Sequence, residues 1–227
     1  MIVLDTSLKI YLIIYLCFTI LYCFVKFSDK KALRVVNKTV LTLMFTGFAV
    51  LTIFRAGSFV FETNLLLLAL IFASLGDVLL MVNFVVGGAF FGVSNLTLSI
   101  LIMDLLHLNG CSFKNYFFFI FIFAAIYLLI ISIFKKEKID LGKMQKPIYG
   151  YLSTVTLHGS LSFASIILLG KVNLLPLFIG SIMFMISDFL LFIEKFNNKD
   201  KKYLSRISTI FYFPGLMLIA LTSLILI

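Results

Sequence analysis

Two aspartates inside long apolar runs are the residues of this sequence best suited to chemistry. Asp77 is the one ionisable residue between Leu65 and Val82, and Asp188 lies in an equally apolar run that starts at Gly180. An acid costs roughly 2.5–3.5 kcal/mol to insert into a bilayer, so it usually faces a protein interior or a wet cavity. Both aspartates stand in the pattern small-Asp-x-Leu-Leu. The repetition of this unfavourable feature predicts a functional pair.

A pair of facing carboxylates supports few kinds of chemistry. In a low-dielectric site the two groups cannot both be ionised, so the pair shares a proton and supplies an acid and a base at neutral pH. This arrangement fits hydrolysis by a paired acid and base, proton-coupled transport, or a purely structural hydrogen bond. His107 and His158 lie on different segments and provide no zinc ligand set, so we expect neither a metal nor another cofactor.

The composition excludes a soluble globular protein. Of 227 residues, 62% are hydrophobic and 13% are charged. Because about 20 apolar residues cross the hydrocarbon core, the sequence predicts an all-α, polytopic membrane helix bundle with about eight transmembrane helices. There is no room for an added soluble domain, so residues 1–227 are expected to form a single integral membrane domain. The apolar runs lie near residues 9–26, 35–54, 64–83, 84–103, 113–134, 147–170, 173–193 and 204–227.

The basic residues predict how the helices are oriented. The net charge is +9, and the lysines and arginines concentrate in the loops after helices 1, 5 and 7. By the positive-inside rule these loops are cytoplasmic and both termini face outside. The charge therefore reflects topology and attraction to anionic lipid rather than binding of nucleic acid. Residue usage favours a bacterial source, and hence the plasma membrane. The concentrated residues are Lys26, Lys30, Lys31, Arg34, Lys38, Lys135, Lys136, Lys138, Lys143, Lys146, Lys195, Lys199, Lys201, Lys202 and Arg206; Lys9, Arg55, Lys114 and Lys171 are left for the other side.

The two aspartate motifs predict an internal repeat. They fall in helices 3 and 7, which are four helices apart and therefore share one orientation. The chain then divides into two parallel four-helix repeats, residues 1–111 and 112–227. Both acids would lie in the cytoplasmic half, about 9 Å from the helix end at 1.5 Å per residue. If a pseudo-two-fold axis along the membrane normal relates the two repeats, the two acids can face each other.

Six further residues are candidates for binding a substrate. They are small, polar or aromatic residues that lie beside the acids or inside other helices. An amide in the bilayer needs a partner, which makes Asn95 notable. Lys38 is either a lysine that extends to the membrane surface or a ligand for a lipid phosphate. The candidates are Ser74, Gly76, Asn95, Ser187, Lys38 and Tyr212.

The two segments that contain the aspartates form a pair of signatures. The first runs from Ala69 to Met81 and is followed by Phe84, Gly87 and Phe91, and the second runs from Gly180 to Leu191. Together with the eight helices and an aromatic patch in helix 8, these segments resemble the YhhN family of lysoplasmalogenases. The resemblance spans essentially the whole chain.

The resemblance implies hydrolysis of the vinyl ether bond of a lysoplasmalogen. The products would be a fatty aldehyde and glycerophosphoethanolamine or glycerophosphocholine, and no metal is required. Asp77 and Asp188 match the family's acids residue by residue, without an assignment of which one is protonated. The substrate is then a lysophospholipid taken from the bilayer. Head-group preference and oligomeric state are left open.

Departures from the family pattern keep other functions open. Asn95 stands where the family usually has His, and Lys38-Thr39 replaces a Lys-Pro pair. A divergent, inactive homologue is one alternative. A small-lipid or proton-coupled transporter is another, since the repeat is parallel. An intramembrane aspartyl protease is a weaker alternative, because the first Gly of its Gly-x-Gly-Asp motif is absent.

Overall fold

The structure is a computed structural model that describes residues 5–28, 30–111, 113–137, 139, 141–169, 172–196 and 202–227. Four basic residues on which the orientation prediction partly rests lie outside these ranges: Lys138, Lys171, Lys199 and Lys201. Within them, all regular secondary structure is helical. The orientation of the bundle in the membrane therefore stays a prediction from loop charge.

Eight helices in the described part of the chain are long and apolar enough to cross a membrane. The prediction of a polytopic membrane helix bundle is thus confirmed. The main departure from the predicted ranges is α4, which continues past its apolar run to include Asp104 and His107. The helices are α1 (Thr6–Val25), α2 (Lys31–Ala56), α3 (Phe61–Leu80), α4 (Phe84–Leu108), α5 (Phe113–Lys136), α6 (Gln145–Leu169), α7 (Leu175–Phe196) and α8 (Lys202–Leu221), followed by a short α9 (Ser223–Leu226).

The helices α3 and α4 form a tight antiparallel hairpin. The Oδ1 atom of Asn83 accepts hydrogen bonds from the backbone N–H groups of Val85 at 2.9 Å and Val86 at 3.3 Å. This side-chain cap satisfies two of the free donors at the start of α4. The hairpin also requires Gly87, because a Cβ there would lie 2.5 Å from the backbone nitrogen of Leu80. The turn fixes the position of Asp77 one turn before the end of α3.

The long helices pack in a ring around the site. Neighbouring contacts run from α1 through α2, α3 and α4 to α6, then through α7 and α8 back to α1 and α2, and α5 packs on α6. Equivalent pairs occur in the two halves: α3 packs on α4 as α7 packs on α8, and α4 packs on α6 as α8 packs on α2. This order is compatible with the predicted repeat. The parallel symmetry of the halves itself stays a prediction.

The α7–α8 pair depends on close backbone contact at Gly180. A Cβ at this position would lie 2.6 Å from the backbone oxygen of Gly215, an atom that cannot move without the helix. We expect Gly180→Ala to destabilise the protein by about 1–3 kcal/mol through overpacking. The thermal unfolding midpoint of the purified protein in detergent should fall accordingly. Gly150→Ala is the matched control, since a Cβ there meets nothing within 4 Å, and it should not lower the midpoint.

Candidate active site

A cavity of about 760 Å³ lies at the end of the bundle where α1 connects to α2, α3 to α4 and α7 to α8. Its walls come from α1, α2, α3, α4, α6, α7 and α8. Asp77 of α3 and Asp188 of α7 both line this cavity, and both are buried, with 2% and 4% of their surface exposed. The two acids of the repeated motif therefore share one cavity.

Asp77 is held by one cation and two hydroxyl groups. The Nζ atom of Lys38 lies 2.8 Å from Oδ1 of Asp77, in an ion pair whose side chains are 17% and 3% exposed. The hydroxyls of Thr42 and Tyr212 each donate to Oδ2 at 2.8 Å. Both carboxylate oxygens thus have strong hydrogen-bond donors, and the Lys38 ammonium supplies a counter-charge.

Asp188 has a much poorer set of partners. The hydroxyl of Tyr151 donates to its Oδ2 atom at 2.5 Å, and no ion pair reaches Asp188 within the described part of the chain. Burial without a nearby cation disfavours a carboxylate charge. The two acids therefore occupy different electrostatic environments, although their local sequences are alike.

Aromatic rings close the space around the acids. The ring of Tyr212 packs edge-on against Phe91 and Phe184, with centroids 6.1 and 5.6 Å apart. Such contacts hold the Tyr212 hydroxyl in place over Asp77. The rings of Phe91 and Tyr212 also line the cavity, and apolar surroundings strengthen the interactions of any charge placed there.

Three of the predicted binding residues line the cavity: Lys38, Ser187 and Tyr212. Lys38 is engaged with Asp77, as described above. The hydroxyl of Ser187 lies 3.0 Å from that of Ser208, which also donates to the backbone oxygen of Ser187 at 3.0 Å. These bonds join α7 to α8 next to Asp188.

The other three predicted residues, Ser74, Gly76 and Asn95, are not among the lining residues. The hydroxyl of Ser74 lies 2.5 Å from that of Thr46 and joins α3 to α2. Gly76 lies against the ring of Phe91, where a Cβ would approach to 2.8 Å. These residues set the packing of the helices that carry the acids.

Asn95 is fully buried, and its side chain forms hydrogen bonds within the bundle. Its Nδ2 atom donates to the backbone oxygen of Phe91 at 3.0 Å, and its Oδ1 atom lies 3.0 Å from Nδ1 of His158. The Nε2 atom of His158 is buried with no hydrogen-bond partner among the described residues. The Asn95–His158 contact connects α4 to α6.

Four residues with contacts in or near the site were absent from the predicted set. Thr42 lies one helical turn after Lys38, a spacing that places both side chains on one face of α2. Tyr151 had no comparable signal, because only the packing of α6 on α7 reveals its contact with Asp188. Lys26 and Glu194 also line the cavity, at the ends of α1 and α7.

The described residues contain no group of three or more His, Cys, Asp or Glu side chains that could hold a metal ion. The lysine and the two hydroxyls around Asp77 donate hydrogen bonds to the carboxylate of Asp77 itself.

The comparisons with known proteins agree with the resemblance found in the sequence. Residues 33–223 match the YhhN family, and this segment includes both aspartates and most of the cavity wall. Neither a curated protein nor a solved structure matches the chain. With most of its length matched, this integral membrane protein belongs to the YhhN family.

Proposed function

We propose that this protein hydrolyses the vinyl ether bond of lysoplasmalogens. The observation that carries the proposal is the pair of buried acids in one cavity, of which Asp77 alone forms an ion pair among the described residues. Such a site supplies an acid and a carboxylate at the same pH. Membership of the YhhN family and the two signature segments agree with this reaction.

The different surroundings of the two acids support different roles. Lys38, Thr42 and Tyr212 stabilise Asp77 as the carboxylate. Asp188, which forms no ion pair with a described residue, carries the shared proton and is the general acid. Its bond from Tyr151 to Oδ2 orients the carboxyl group and leaves Oδ1 to carry the proton. We therefore assign proton donation to Asp188 and charge stabilisation to Asp77.

The reaction proceeds in two stages with no net change in either acid. Asp188 transfers its proton to the β-carbon of the vinyl ether, which is the alkene carbon not bonded to oxygen. The resulting oxocarbenium ion is stabilised by the Asp77 carboxylate. A water molecule adds to the ion, and its proton returns to Asp188. The hemiacetal then breaks its bond to the glycerol oxygen, which takes up the hydroxyl proton. One water is consumed, and a fatty aldehyde and a glycerophospho alcohol are released.

The cavity is suited to an apolar chain next to the acids. Its volume of about 760 Å³ lies within the usual range for sites that bind small molecules. The α4 wall contributes Val85, Val93 and Leu96, each more than 40% exposed. These side chains show that the cavity wall continues to the outer surface of the bundle. An alkenyl chain bound along α4 would place its ether bond near the acids.

Tyr151→Phe is expected to reduce kcat/KM for aldehyde release by about 2- to 10-fold. The substitution removes one hydrogen bond to the neutral Asp188 carboxyl group, and such bonds are worth about 0.5–1.5 kcal/mol. Tyr149→Phe is the matched control, because the Tyr149 hydroxyl lies outside the cavity lining. Equal rates for the two variants would contradict the role given to Tyr151.

The direct test is aldehyde release from an alkenyl lysophospholipid by the purified protein, with flux of the same lipid into vesicles measured in parallel. The proposal predicts aldehyde and glycerophospho alcohol in equal amounts. A small-lipid or proton-coupled transporter predicts flux of intact lipid without aldehyde. Failure to release aldehyde from either head-group class by well-folded protein would overturn the proposal.

A further inference from the structure

A second group of charged residues lines the cavity, at the ends of the helices α1 and α7. It consists of Lys26 at the end of α1, and Glu194 with Lys195 at the end of α7, all of which line the cavity. The mechanism described above uses none of these side chains. Their charges are therefore available for another part of a bound molecule.

Glu194 presents an acceptor that no described residue satisfies. Its Oε2 atom is buried and has no hydrogen-bond partner in the described part of the chain. A buried acceptor without a donor is unfavourable by about 1–3 kcal/mol, and more when it is charged. A positively charged donor in the cavity would satisfy it. Lys195 is not that donor, since its Nζ atom lies over the Phe84 ring, 5.4 Å from the centroid.

Lys26 presents the opposite charge, and its Nζ atom lies within 4.0 Å of no carboxylate oxygen among the described residues. Its Nζ atom donates to the backbone oxygen of Ser205 and to the hydroxyl of Thr209, each at 3.0 Å. An ammonium has three donors, so one remains for a ligand. Burial lowers the pKa of the Lys26 ammonium; the carboxylate of Glu194 opposes this shift, and the ammonium of Lys38 adds to it. An anion bound between the ammonium groups of Lys26 and Lys38 would reduce the repulsion between them.

We propose that Lys26 and Glu194 form a head-group site, in which Lys26 binds the phosphate and Glu194 binds the amine of a zwitterionic lysophospholipid. The site rests on the proposed function, because it holds the same substrate whose ether bond lies at Asp77 and Asp188. It makes Glu194 the residue that distinguishes amine-bearing head groups from a bare phosphate. The apolar α4 wall then receives the chain, and the acids lie between chain and head group.

The test is equilibrium binding of two alkyl-ether lysophospholipids that cannot be hydrolysed. One carries phosphoethanolamine and the other a phosphate monoester on the same chain. The purified wild type should bind the ethanolamine lipid more tightly. Glu194→Gln should weaken this binding about 10-fold and leave the phosphate monoester unaffected or bound more tightly, while Lys26→Met should weaken both lipids about 10-fold. Each variant's thermal unfolding midpoint confirms that it is folded.

Two further variants keep the test decisive. Glu62→Gln removes a carboxylate of α3 that does not line the cavity and should change neither affinity. Glu194→Asp keeps the charge and should retain the preference for the amine, which covers the case in which Glu194→Gln fails to fold. A preference that survives in Glu194→Gln, or equal weakening of both lipids by it, would overturn the head-group site. If the wild type binds neither lipid, the proposed function itself fails instead.

Discussion

Asp188→Asn is expected to lower the rate of aldehyde release by about 10²- to 10⁴-fold, the usual contribution of a positioned general acid. The amide has nearly the shape of a neutral carboxyl group but cannot give a proton to the vinyl ether carbon. It can still accept the hydrogen bond from Tyr151. We therefore expect the thermal unfolding midpoint to stay close to that of the wild type.

The combination of these two readouts tests the assignment of Asp188 as the protonated member of the pair. Aldehyde release is measured with an alkenyl lysophospholipid, and unfolding is measured on the same preparation. A large loss of stability in Asp188→Asn would show that the protein needs a carboxylate charge at this position. Retained activity would remove Asp188 from the mechanism.

Asp77→Asn is expected to reduce aldehyde release by about 10²- to 10³-fold and also to destabilise the protein. The amide cannot stabilise the oxocarbenium ion, and it leaves the Lys38 ammonium without its counter-charge. Removing one partner of a buried ion pair costs roughly 3–5 kcal/mol, and the 17% exposure of Lys38 places this case at the lower end. The loss of stability distinguishes this variant from Asp188→Asn.

A second substitution separates the two effects of Asp77→Asn. Adding Lys38→Met removes the uncompensated cation, so the double variant should recover most of the thermal unfolding midpoint without recovering aldehyde release. The coupling between the two sites is then obtained from a double-mutant cycle. Additive losses of stability in the two single variants would show that the Lys38–Asp77 ion pair does not stabilise the fold.

The sequence predicts the membrane fold because hydrophobicity alone decides which segments cross a bilayer. The apolar run around Asp77 and the helix α3 agree to within a few residues, and Asn83 ends that run by capping α4. Asp77 and Asp188 also stand out in the sequence, since a charge inside such a run is unfavourable. Both features depend on local composition.

The contacts of the site are less predictable, because they depend on which helix faces which. Ser74 and Gly76 are close to Asp77 in sequence, but each residue of a helix is rotated by about 100° from the last. Ser74 consequently contacts Thr46, and Gly76 packs against the ring of Phe91, and neither residue lines the cavity. Tyr151 reaches Asp188 only because α6 packs on α7.

The contacts of charged residues near helix ends are equally difficult to predict from the sequence. From the sequence, Lys26 is one of several lysines that set the orientation of the bundle. In the structure its side chain extends to α8 and bonds to Ser205 and Thr209. The distinction between a surface lysine and a cavity lysine requires the position of the neighbouring helix.

The most direct test of the acid pair is the hydrolysis of an alkenyl lysophospholipid by the purified wild type in D₂O, with the aldehyde reduced at once and analysed by mass spectrometry. Because the Asp188 proton exchanges with solvent and is transferred to carbon, the product should carry one deuterium on the carbon next to the former carbonyl. Product formed without this deuterium, or no aldehyde at all from folded protein, would contradict carbon protonation by the acid pair.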